Sequence, residues 1–140
     1  MSIDQASLVA DDIAAIAAGP ERIMATWADH DPDAFAEAFA EDGTLILPND
    51  IYLTGREEIR SFMARGFAGP YRGTRVSITP LVVKSIGDSA ALVISSGGVL
   101  APGATELAPE AASRATWVLT RKDGEWSVLS YQNTPSGTAG

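Results

Sequence analysis

Apolar residues recur with helical spacing at the start of the chain: Leu8, Val9, Ile13 and Ile16, then Ile23, Met24 and Trp27. Gly19-Pro20 separates the two groups, so the pattern predicts helix from about Ser7 to Ala28 with a kink or restart at that pair. Asp31-Pro32 then reads as a helix cap followed by proline at the first helical position. Ala34, Phe35, Ala38 and Phe39 predict the apolar stripe of a short second helix, ended by Glu41-Asp42-Gly43. Thr44 to Leu47 predicts a strand, Pro48-Asn49-Asp50 a turn, and Ile51 to Leu53 a second brief strand. A third helix starts at a capping box, Thr54 with Glu57 three residues on, and carries Ile59, Phe62, Met63, Gly66 and Phe67 on one face until residues 68–70.

Beyond residue 71 the period shifts from helix to strand. Residues 73–86 predict a long strand in which Pro80 forces a bulge or an edge position. Gly87-Asp88 signals a hairpin, residues 90–101 the next strand, and residues 113–121 and 126–134 the last two, joined by the tight turn Lys122-Asp123-Gly124-Glu125. The polar loop from Ala101 to Ala112 is long for a hairpin connection and is expected to border or gate a pocket. Residues 135–140 are expected to fray. Helices first and antiparallel strands last mean an α+β fold, with helices on one face of a sheet, in one domain spanning residues 1–140. The strands alternate poorly: "ATWVLT" and "WSVLSY" are apolar on both faces. A half-solvated sheet alternates, so a homodimer through the outer face of the sheet is expected.

Composition narrows the chemistry. The 140 residues contain no cysteine and one histidine, which removes thiolate nucleophiles, cysteine-based metal sites and histidine pairs. A net charge of −8, with the basic residues scattered, argues against nucleic acid and anionic membranes as partners. The acidic N-terminal stretch does not read as a secretory signal and no apolar run has membrane-spanning length, so a cytoplasmic protein is expected. The single histidine, His30, lies between Asp29 and Asp31. Adjacent residues on a turn rarely converge on a metal, and further ligands are missing, so His30 reads as surface punctuation between helices. No phosphate-binding glycine loop or metal triad is present, so no cofactor is expected.

The order "WADHDPDAFAEAFAEDGTLILP", "GREEI" and "RATWVLTRKDGEWSVLSYQNT" resembles the NTF2-like superfamily. Within it the chain looks most like the SnoaL-like branch, of the SgcJ/EcaC type found in enediyne polyketide biosynthesis. The resemblance spans about Asp12 to Thr134. It implies a curled sheet closed by helices into a cone whose apolar interior holds a small molecule. Ketosteroid isomerase, in the same superfamily, needs a general-base Asp, a Tyr and a protonated Asp. The positions matching these are Leu47, Ile23 and Thr116, and the position of a supporting Tyr is Met63. A leucine takes up no proton, so the same dienolate chemistry by the same residues is excluded.

The same comparison implies an inward face made of Val93, Ser95 and Gly97, then Arg114, Thr116 and Val118, then Leu129, Tyr131 and Asn133, faced by Ile23 and Trp27 and by Phe62, Met63 and Phe67. The candidate ligand-binding residues are Trp27, Phe62, Met63, Phe67, Ser95, Arg114, Thr116, Tyr131 and Asn133. Arg114 is expected either to pair with Glu106 or Glu110 or to meet an anionic oxygen. Three functions follow. The first is a binder of a small hydrophobic polyketide or polyene. The second is a cofactor-free isomerase or cyclase that stabilises an enolate with Arg114, Tyr131 and Asn133. The third is a dimerisation module with a filled cone.

Overall fold

The computed structural model describes residues 2–136, and side chains from Asp12 onward. Helix α1 runs from Ser2 to Ala28 and continues through Pro20. Its passage over the sheet depends on Gly19, where an added Cβ would lie 2.7 Å from Leu119 Cδ2. Helix α2, Pro32–Glu37, starts as the sequence predicts: the Asp31 side chain accepts a hydrogen bond from the Ala34 N–H.

The second helix is shorter than its apolar spacing predicts. Strand β1 spans Phe39–Leu47, so Phe39 to Asp42 are extended rather than helical. The cause is long-range. Val128 N–H donates to Ala38 O at 2.9 Å, and Phe39 pairs in parallel with Val128 on the last strand. Phe39 is 1% exposed in this arrangement. A parallel partner some ninety residues away leaves no mark on local periodicity.

Strand β2, Ile51–Thr54, turns back antiparallel to β1. Helix α3 is Gly55–Ala68. The expected capping box is displaced: the Thr54 N–H donates to Glu58 Oε1 at 2.9 Å, while Glu57 pairs with Arg60. Gly55 stands at φ +85, which delays the regular helix by one residue and brings Glu58 rather than Glu57 round to the cap.

Strands β3 (Arg75–Ile86), β4 (Ala90–Leu100), β5 (Ser113–Lys122) and β6 (Glu125–Pro135) complete a six-stranded sheet. Its order is β2-β1-β6-β5-β4-β3, with β1 and β6 parallel and the other neighbours antiparallel. Pro80 fulfils both expectations: β3 is an edge strand, and its register shifts between Pro80 and Val82. The Lys122–Glu125 hairpin turns on Asp123 at φ 54 and Gly124 at φ 82, the left-handed pair that suits a two-residue loop. Pro135 belongs to β6, and the Ser136 N–H donates to Ala112 O at 3.0 Å, so the strand outlasts the expected start of a frayed tail. Residues 137–140 lie outside the described residues.

The helices cover one face of the curled sheet, and the core between them is continuous. Ile16, Ile23 and Trp27 of α1 and Ile59 and Met63 of α3 meet Val93, Ala115, Trp117, Leu119 and Val128 of the sheet. No helix among the described residues is long and apolar enough to cross a membrane.

Candidate functional site

The inward face of β5 is the opposite of the one the sequence comparison implies. Ser95 on β4 stands directly across from Ala115, and Val93 from Trp117. On β6, Asn133 stands across from Ala115 and Tyr131 from Trp117. Directly paired residues share a face, so Ala115, Trp117 and Leu119 turn toward the helices. Ala115 is 4% exposed, Trp117 1% and Leu119 0%. Arg114 and Thr116 are exposed on the other side, with Val118 half-buried there. A one-residue slip in register moves every side chain of a strand to the other face. Similarly, a register shift between Val118 and Leu119 puts Val128 rather than Leu129 into the core.

The sheet and the helices enclose a cavity of about 290 Å³. Of the nine candidates, Trp27, Met63, Ser95, Tyr131 and Asn133 line it. Phe62 and Phe67 do not. Phe67 is buried behind Trp27, their rings edge to face at 5.6 Å, and Phe62 packs at 6.4 Å from Tyr71. Arg114 and Thr116 face away from the cavity, and Arg114 forms no ion pair with Glu106 or Glu110 among the described residues. Sequence reasoning missed Trp117, Ala115 and Tyr71, along with Val76 and Ile78 on β3. The register of Trp117 was partly legible: a two-residue turn at Asp123-Gly124 sets Leu119 across from Val128, and Trp117 shares the face of Leu119.

Two hydrogen-bonded pairs stand among the polar groups of the cavity, which also include Asn49, Tyr71, Ser77, Ser96 and Ser113. Trp117 Nε1 donates to Ser95 Oγ at 2.8 Å. The Tyr131 ring lies edge to face on Trp117 with centroids 4.5 Å apart. Asn133 Nδ2 donates to Tyr131 Oη at 2.9 Å, whereas Asn133 Oδ1 is buried without a hydrogen-bond partner. Burial pushes the Tyr131 phenol above its ordinary value. The Asn133 hydrogen bond opposes that rise, and the nearby Tyr71 adds to it. Burial likewise raises Tyr71. Both phenols therefore stay neutral at physiological pH and keep a proton they can donate. Among the described residues no Lys, Arg or His lines the cavity, and one carboxylate does: Glu110, exposed at the rim, on the loop expected to border the pocket. Residues 110–112 of that loop do line it, and the Ala111 carbonyl sits where a side chain at residue 98 would be, a place open because that residue is Gly98.

Leu47, Ile23 and Met63, at the matched acid–base and support positions, line the cavity as apolar side chains. Thr116 does not line it, and its inward neighbours Ala115 and Trp117 are not acids either. His30 is half-buried rather than on the surface. It stands at φ 51 after α1, and its Nε2 donates to the Thr74 carbonyl at 2.8 Å. Trp27 Nε1 donates to Thr74 Oγ1 at 3.0 Å, and Thr74 Oγ1 donates to Tyr71 O at 2.6 Å. Thr74 thus anchors the end of α1 to the start of β3. No cluster of three metal-ligating side chains occurs among the described residues.

The family model for the SnoaL-like domain matches residues 9–132. The chain belongs to the SnoaL-like domain family. No curated protein matches the chain significantly. This SnoaL-like domain is similar in structure to a cystatin-like-fold domain of unknown function from Nostoc punctiforme, at TM-score 0.83 and 28% identity over 92% of this chain and 80% of that one. It is also similar to an NTF2-like protein from Novosphingobium aromaticivorans, at TM-score 0.82 and 18% identity over 98% and 90% of the two chains. A candidate scytalone dehydratase from the same organism matches at TM-score 0.77 and 16% identity over 94% and 88%. These likenesses agree with the NTF2-like cone of the sequence reading.

Proposed function

We propose that this SnoaL-like domain binds a small, neutral, hydrophobic molecule in its cavity, and that the ligand is a polyketide or polyene intermediate of the kind handled in enediyne biosynthesis. One observation carries the binding reading: a largely apolar hollow with neutral polar groups along its lining and, among the described residues, no charged side chain beyond its rim. That is the usual make-up of a small-molecule site, and about 290 Å³ is near the lower end of the volumes such sites have, roughly 300–1,000 Å³. A dimerisation module with a filled cone is disfavoured by the same hollow. The finer ligand class comes from the resemblance to the SgcJ/EcaC type.

An isomerase or cyclase built on Arg114, Tyr131 and Asn133 loses its cation, because Arg114 faces away from the other two. A dehydratase, as the Novosphingobium relative is described, needs a proton acceptor near its substrate; among the described residues the lining carboxylate, Glu110, stands at the exposed rim, and inside it the titratable groups are neutral phenols. Titration calorimetry with naphthalene, a neutral apolar probe, is expected to show one saturable site per chain. Arg114→Ala is expected to leave that affinity within about twofold, as suits a residue on the far face. Absence of saturable binding would overturn the reading.

The outer face supports the expected homodimer. Val82, Ile94 and Thr116 form one cross-strand row, and Leu92 and Val118 lie across from each other beside it. Val82 is 39% exposed and Ile94, Leu92 and Val118 are half-buried, an apolar strip of the kind a second subunit covers. Light scattering at micromolar concentration is expected to report a dimer, and a monomer would rule it out.

A further inference from the structure

The end of β6 sets a condition on the ligand that apolar filling does not. Asn133 lines the cavity, yet its Oδ1 has no partner among the described residues and is shut off from solvent. Leaving a buried amide oxygen unpaired forfeits its hydration with nothing in return, so a buried orphan of this kind calls for an explanation. The neighbouring Tyr131 hydroxyl accepts from Asn133 Nδ2, and its own proton meets no acceptor among the described residues. The pair therefore has one unused acceptor and one unused donor, side by side on residues two apart on the same strand face. Turning the amide over gives the mirror case: Tyr131 would donate to Asn133, and an amide N–H would be left over. A hydroxyl both donates and accepts, so it answers either arrangement. A carbonyl alone cannot donate to the orphan oxygen. A carboxylate would enter an interior with no cation, past Glu110 at the rim, at a large desolvation cost.

We infer that the Tyr131–Asn133 pair is a subsite for a hydroxyl or enol group on an otherwise apolar, uncharged ligand, so that the ligand class is a neutral hydroxylated ring or chain rather than a pure hydrocarbon or an acid. This rests on the binding reading above and sharpens it. Seated there, the ligand hydroxyl accepts from the Tyr131 O–H, and a turn of the Asn133 side chain brings its enclosed amide oxygen to the ligand proton. The rest of the molecule lies against Trp117, Ile23 and Met63. Trp117 fixes the pair in place, because its ring packs on Tyr131 and its indole N–H is already used by Ser95.

The test uses three probes that share one ring system: naphthalene, 2-naphthol and 2-naphthoate. Each is titrated by calorimetry into the full chain and into Asn133→Leu, which keeps the volume and removes the polar end. In the unaltered protein, 2-naphthoate is expected to bind at least about tenfold more weakly than 2-naphthol. In Asn133→Leu the affinity for 2-naphthol is expected to fall about tenfold, while that for naphthalene holds within twofold or rises. Tyr131→Phe is expected to show the same selective loss, and it decides the question if Asn133→Leu does not fold. A parallel change for naphthalene and 2-naphthol, or no change for either, overturns the hydroxyl subsite while leaving the apolar cavity reading intact. Binding of none of the three to the unaltered protein overturns both.

Discussion

Trp117→Ala is expected to lower the unfolding free energy by about 3–5 kcal/mol, the range for removing a large buried aromatic side chain. Trp117 is 1% exposed at the centre of the inward face. Its loss opens a hole beneath Tyr131, removes an edge-to-face contact at 4.5 Å, and strips Ser95 Oγ of its 2.8 Å donor. Ser95 is itself 2% exposed, so solvent offers little replacement. Trp117→Phe keeps most of the ring and is expected to cost less. Thr116→Ala, one residue away on the exposed side, is expected to change stability by no more than about 0.5 kcal/mol. Urea denaturation of the three variants checks this. Equal losses at residues 116 and 117 would mean that the assigned facing of β5 is wrong.

Gly97→Ala is expected to destabilise the protein by about 1–3 kcal/mol or more, although it adds one methyl group. A Cβ on Gly97 would fall inside the Ser77 carbonyl of β3. The obstacle is backbone, held by pairing along the whole length of β3 and β4, and it cannot turn aside as a side chain can. Gly97 also lines the cavity, so the strand shift that relieves the clash is expected to weaken naphthalene binding as well. Ser96→Ala at the neighbouring position removes atoms rather than adding them and is expected to stay within about 0.5 kcal/mol. Thermal unfolding combined with probe titration reads both effects. A Gly97→Ala protein as stable as the parent would show that β3 and β4 approach less closely at this point than described.

The two predictions mark where local reading succeeds and where it stops. Asp31-Pro32 capped α2 as expected, because a cap is a contact within three residues. Pro80 fell at an edge and a bulge because its missing N–H forbids a central position. The Asp123-Gly124 turn joined β5 and β6 because both residues accept positive φ. Trp27, Met63, Ser95, Tyr131 and Asn133 were all placed at the cavity by resemblance to a family. Phe39 was misread as helix because "AFAEAFAE" has helical spacing, and only its distant parallel partner Val128 makes it extended. Arg114 and Thr116 were turned the wrong way because the comparison with ketosteroid isomerase set β5 one residue out, and a one-residue slip turns every side chain to the other face. The strand's own alternation, Ala115, Trp117 and Leu119 against Arg114, Thr116 and Thr120, pointed the right way.

Sequence by itself determined the element order, the cap of α2, the turns, the lack of a proton acceptor at Leu47 and the apolar character of the interior. All of these are properties of single residues or of neighbours within a few positions. Tertiary structure alone decided the bulge that brings Val128 rather than Leu129 inward, where α2 yields to β1, and that Asn133 and Tyr131 meet with hydrogen-bonding capacity to spare. These depend on cross-strand register, which is set by bulges and by partners far along the chain, and on burial, which no residue possesses until the others surround it.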